Sequence, residues 1–262
     1  MPAGGRASSA WDMTTYQNPE VDQILLPGQA HAAPGPLDMT MMYAMHHGFR
    51  RDLRLLEAAA ATTPADDRRA WVALGRRWRR FVAILRHHHE GEDAGYWPLL
   101  AARVDADERA DVFAMEAEHH AMDDLLRAID PAFHRLVTTA STRERATLAA
   151  DVTRLRALVE NHLRHEETVV IPLLHKHITV AEDEQIEREH FRSGLSLADL
   201  LGSVPWVLHD LPSEVRDRIL AAAGPPIRMV WLGTRGRFAR DDAAIRRRLH
   251  PVHHDLGRST RV

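Results

Sequence analysis

Leu148, Val152, Leu155, Val159, His162, Glu166, Val169 and Leu173 follow one another at spacings of three and four residues without a break. That spacing matches the roughly 3.6-residue turn of an α-helix, so all eight share one face. A face that is apolar at both ends points into a core, yet a histidine and a glutamate stand near its middle. The same phase runs through Phe81, Leu85, His88, Glu92, Tyr96 and Leu99, and through Val112, Met115, His119, Met122, Leu126 and Ile129. It runs again through Met42, Met45 with His46, Phe49, Leu53 and Leu56. Four amphipathic helices, each sending a histidine inward, leave little room for strands.

The ends of these helices carry their own signals. Asp105 with Glu108, Ser141 with Glu144 and Thr179 with Glu182 each place a capping side chain three residues before a glutamate, and Thr63-Pro64 reads as a cap followed by a first-turn proline. Helices are therefore predicted at roughly 38–61, 64–103, 105–138 and 141–177, with a short fifth at 180–191. Pro131 is expected to kink the third. The expected fold is all-α: an up-down four-helix bundle over 37–191, a helical appendage and tail over 192–262, and a flexible arm over 1–36. Gly202, Pro205, Pro212, Gly224, Pro225 and Pro226 punctuate the appendage, which carries Trp206 and Trp231. The Arg246-Arg247-Arg248 run and His250, His253 and His254 read as a solvated terminus rather than a metal or anion patch.

Composition narrows the function. A net charge of -3 over 262 residues gives no field that would draw nucleic acid or an anionic membrane. The chain has no cysteine, which removes disulfides, thiolate metal sites and thiol nucleophiles, and suits a reducing cytoplasm. The longest apolar run near the start, Ile24-Leu25-Leu26, is too short for a signal peptide core or a membrane span. Eighteen histidines point instead to metal chemistry.

Two stretches repeat one pattern: His88, Glu92 and Pro98-Leu99-Leu100, then His162, Glu166 and Pro172-Leu173-Leu174. Histidine at i and glutamate at i+4 stack one turn apart, so imidazole and carboxylate converge on a common point. Burying a lone carboxylate costs several kcal/mol or so unless it is paired or neutralised. Two buried glutamates among four buried histidines have an economical explanation in a cation cluster. The heights agree as well, because positions level with one another on adjacent antiparallel helices mirror about the turn between them. The midpoints fall near 105 and 141, on the capping signals, and near 68, a few residues past Thr63-Pro64.

The remaining histidines are expected outside. His47 shares its face with Tyr43, Arg50, Arg51 and Arg54, while His87 and His89 flank the inward phase of His88. His89, His120 and His165 adjoin the inferred ligands and are read as partly exposed, with a ligand-orienting role as the alternative. His31, His134, His175, His177, His190 and His209 show no partner spacing, and the methionines at 39, 41, 42 and 45 read as core filler.

The order His, His-x-x-x-Glu, His, His-x-x-x-Glu on successive helices resembles the hemerythrin-like, HHE cation-binding family over roughly residues 37–190, and the Leu- and Trp-rich appendage resembles the tails of actinobacterial members. The resemblance implies two non-haem irons, oxo- or hydroxo-bridged, with His46, His88, His119 and His162 as terminal ligands and Glu92 and Glu166 bridging; zinc and manganese are the rival ions. Oxygen-carrying hemerythrins place a second histidine four residues after the first on the third helix, where this chain has Asp123. Asp123, water or Tyr96 is then expected to complete the shell. Tyr96, one turn past Glu92, is the candidate catalytic group, against the plainer reading of a core tyrosine bonded elsewhere. The expected function is reaction with dioxygen, hydrogen peroxide or nitric oxide, with an oxygen or metal sensor or a storage protein as alternatives.

Overall fold

The computed structural model describes residues 20–249. It is all-α: α1 (Thr40–Thr62), α2 (Arg68–Ala101), α3 (Ala106–Thr139) and α4 (Thr142–His165) form the bundle. A π-helical turn, Glu166–Val170, carries α4 directly into α5 (Ile171–His177). α6 (Val180–Ile186) ends in a second π-helical turn, Glu187–Arg192, and α7 (Leu197–Leu208) and α8 (Ser213–Leu249) complete the chain. Extended pairing among the described residues is limited to one bridge, Val21 with Gly35. No helix of the described residues is long and apolar enough to cross a membrane.

The capping signals place the turns. Asp105 and Thr179 form reciprocal capping boxes with Glu108 and Glu182, and Ser141 accepts the backbone N–H of Glu144. The second helix starts later than 64, because Asp67, not Thr63, caps it through the N–H of Ala70. The turn from α1 to α2 thus reaches residue 67, which brings the mirror midpoint near 68 onto it. α3 runs through Pro131 as one continuous helix.

The apolar stripes meet in one core. Val112, Met115, Met122, Leu126 and Ile129 of α3 face Leu148, Val152, Leu155 and Val159 of α4, all at most 2% exposed. Residues 20–36, expected as part of a loose arm, instead lie along the bundle, with Leu26 and Ala33 buried. Together with the appendage, this covers the α1 face that was expected to meet water: Tyr43, Arg50 and Arg51 are buried and His47 is half-buried. Tyr43 Oη accepts the N–H of Ala33.

The appendage closes the other side of α1. Gly48 leaves room for the ring of Trp206, fully buried, whose Nε1–H donates to Asp52 Oδ2 at 2.8 Å. Asp52 also accepts from Arg77 and Arg51, and Arg51 reaches the carbonyls of Trp206 and His209. α8 joins through Asp242, 3.3 Å from Arg77. Within α8, Gly224 takes φ 80°, splitting it into two helical arms, a conformation glycine adopts without steric cost. Arg246 pairs with Asp242, whereas His250, His253 and His254 lie outside the described residues, as do residues 1–19.

Candidate metal centre

Each bundle helix brings the polar interruption of its inward stripe to a common level. His46 comes from α1, His88 and Glu92 from α2, His119 from α3, His162 from α4, and Glu166 opens the π-helical turn; all are at most 5% exposed. They gather into two groups whose ligand atoms lie within 4.8 Å of one another: His46, His88, Glu92 and Glu166, and His89, Glu92, His119 and His162. Glu92 belongs to both. Its Oε1 lies 3.0 Å from His88 Nε2 and its Oε2 3.6 Å from His119 Nε2. Glu166 Oε2 lies 3.1 Å from His46 Nε2 and 3.9 Å from His162 Nε2.

The outer nitrogens are already committed. His46 Nδ1 hydrogen-bonds Glu167 Oε1, His119 Nδ1 hydrogen-bonds Asp93 Oδ1, and His162 Nδ1 hydrogen-bonds Glu118 Oε2, each at 2.9 Å. An N–H donated outward fixes the tautomer and turns the Nε2 lone pair inward, as the carboxylates behind metal-bound histidines do. Glu167 is held in turn by both guanidinium nitrogens of Arg50 and by the N–H of Ala30. Glu118 also receives His165 Nδ1.

The inner atoms lack such partners. Nε2 of His46, His88 and His89 and both carboxylate oxygens of Glu92 and Glu166 are buried without a well-aligned hydrogen bond, and among them the close approaches are to one another, His88 to Glu92 at 3.0 Å and His46 to Glu166 at 3.1 Å. Buried polar groups are ordinarily satisfied, and this set is nitrogen and oxygen donors aimed at shared points. The residues therefore fit a pair of cations.

Charge within the group follows the same geometry. Burial opposes a charge on His46, but Glu166 and Glu167 outweigh it and hold its pKa at about 9. Burial would raise Glu166, but the neighbouring histidines, His46 foremost, bring it to about 2. Glu92 is pushed well above the carboxylate range by burial and by Glu166 and Asp93. His88 and His89 are driven well below the usual imidazole value by burial and by the histidines around them.

Three sequence expectations need correction here. Asp123 does not complete the shell; its side chain is 40% exposed and faces Arg127 at 3.8 Å. Tyr96 is buried, but its hydroxyl donates to Asp183 Oδ1 at 2.6 Å and belongs to neither group. His89 is not an outward neighbour of His88: it is 7% exposed, with its ring stacked on His119 at 3.8 Å and 7°. His87 does lie outside, bonded to the carbonyl of Phe191, and His120 is exposed.

Glu167, Asp93 and Glu118 were not foreseen. A signal existed, since each is an acid directly beside a ligand in the sequence: Glu92-Asp93, Glu118-His119, Glu166-Glu167. In an α-helix, neighbours point about 100° apart, so such a residue normally leaves the inward face. Glu167 nevertheless lies in the π-helical turn fully buried beside Glu166, covered by Arg50 of α1 and by Ala30.

A closed helical bundle with a histidine and carboxylate centre between its four helices defines a helical cation-binding protein. The chain belongs to the hemerythrin family: the hemerythrin HHE cation binding domain model matches residues 38–174. Neither the curated proteins nor the solved structures return a match.

Proposed function

We propose that this chain holds two iron ions and reacts with a small oxidant: dioxygen, hydrogen peroxide or nitric oxide. The carrying observation is the convergence of unbonded, buried donor atoms in two groups that share Glu92. Iron is chosen over zinc and manganese because the family is hemerythrin; imidazole with carboxylate suits all three. When bound, the pair would supply the electrons or the open coordination that such oxidants need.

The protein's part is positioning and exclusion. Each group offers four donor residues, fewer than the about six of an octahedral ion, which leaves room for a small ligand. All donors are buried, so bulky substrates are kept out. Asp93, Glu118 and Glu167 keep three histidines aimed inward, and Tyr96, bonded to Asp183, supports α2 from behind. The absence of cysteine suits a reducing cytoplasm as the place of action.

A sensor is the second reading, favoured by one contact. The Phe49 ring lies 5.2 Å from His88 and 5.3 Å from Trp206 between centroids, so a movement of His88 on metal binding would reach the appendage through that ring. Metal analysis and stopped-flow mixing separate the readings. About two irons per chain, with the reduced protein oxidised by oxygen or consuming peroxide, supports the first. Sub-stoichiometric zinc from iron-supplied cells overturns it, and an adduct that returns oxygen intact under vacuum, without peroxide turnover, favours the sensor or a carrier.

A further inference from the structure

We propose that His89 makes the two metal positions unequal, so that a three-histidine position fills before its two-histidine neighbour; this rests on the reading of the centre as a metal pair. The donor sets differ in kind. One position would draw on His89, His119, His162 and Glu92, the other on His46, His88, Glu92 and Glu166.

His89 is what creates the difference. Its Nε2 is buried without a partner, its ring lies flat against His119, and it meets the edge of His162 at 5.3 Å. His119 and His162 already bring their Nε2 atoms to 3.3 Å from one another. A third imidazole beside them has no local hydrogen-bonding reason to sit there, whereas a cation would take all three. The α3 position that sequence reasoning offered for a further ligand, Asp123, turns to Arg127 instead. The missing nitrogen is supplied from α2, by the residue after His88.

Nitrogen-rich sets favour borderline divalent ions, and carboxylate-rich sets favour harder ones. The two-histidine position also holds an internal competitor, since Glu166 Oε2 lies 3.1 Å from His46 Nε2 and an ion must part them. The three-histidine position has no such contact to its own carboxylate closer than the 3.6 Å between His119 and Glu92. Both differences act in one direction.

Cobalt(II) is the probe, added to the full chain freed of metal, with calorimetry and the cobalt absorption bands as readouts and circular dichroism as the fold control. The wild type is expected to take two equivalents in two steps separated by about 10-fold or more in affinity, the scale on which ligand-shell changes act. His89→Ala is expected to abolish the tight step and keep the weak one, and His46→Ala to do the reverse. His89→Gln, which keeps the packing volume, serves if the alanine variant fails to fold and is expected to lose the same step. A single step of two equivalents in the wild type, or two unchanged steps in a folded His89 variant, overturns the inequality while leaving the metal pair intact. Fewer than two equivalents in the wild type overturns both.

Discussion

Glu167 Oε1 accepts from His46 Nδ1 at 2.9 Å while Arg50 grips the same carboxylate with two nitrogens. The pair links a ligand on α1 to the turn that carries Glu166. Glu167→Gln is expected to lower metal affinity by about 10- to 100-fold with little loss of helix. Chelator competition together with circular dichroism checks this, and unchanged affinity would show that the contact does not orient His46.

Loading the centre should release protons. With a pKa of about 9, His46 is charged at neutral pH in the metal-free chain, and a ligand must give up that proton. Glu92, raised well above its usual value, adds to the release. Uptake at pH 7 is therefore expected to liberate at least about one proton per chain, and affinity should climb as pH rises toward 9. Calorimetry in buffers of different ionisation heat measures the number directly. No dependence on buffer would mean that His46 starts neutral.

The ionic knot between bundle and appendage should set an acid limit. Burial alone would raise Asp52, but Arg77 and Arg51 hold it below the ordinary aspartate value. A depressed carboxylate stabilises the fold above its unfolded value and loses that contribution as pH falls through the folded one. Its share of stability is thus complete above about pH 5 and lost progressively below about pH 4. Asp52→Ala strands Arg51 and Arg77 and is expected to cost about 3 to 5 kcal/mol at pH 7. Urea unfolding across pH checks both, and an Asp52→Asn protein with the wild-type acid slope would remove Asp52 as its source.

Gly48→Ala tests how tightly the appendage is seated. A Cβ there would stand 2.6 Å from Trp206 Cη2. The ring cannot retreat, because it is fully buried and its Nε1–H is held by Asp52. Overpacking of about 1 to 3 kcal/mol should outweigh the helix gain of about 1 kcal/mol from replacing glycine. A lower melting temperature with shifted tryptophan emission is expected; a stabilised protein would mean that α7 is loosely docked.

Asp123→Ala should leave metal content unchanged, since its carboxylate faces Arg127 and solvent. Metal analysis of the purified variant is sufficient, and loss of one ion would return Asp123 to the centre.

The sequence by itself determined the bundle, the phase of its four inward stripes, most of its turns and the inward placement of six residues that the fold brings together: His46, His88, Glu92, His119, His162 and Glu166. Periodicity reports the angle of a side chain about its own helix, and a polar residue in the middle of an apolar stripe is legible on that basis alone. It cannot say how wide the buried sector is, because that depends on what the next helix presents. Only the tertiary structure decided that His89, about 100° from His88, still falls inside, stacked on His119, and that Asp123 does not. Only it decided that Tyr43, Arg50 and Arg51 are covered, because residues 20–39 and α7 lie across a face that reads as polar. The π-helical turn belongs to the same class of fact. Glu166 and Glu167 are both buried in it, and its two carboxylates meet partners more than a hundred residues away in the chain, His46 and Arg50, where local periodicity carries no information.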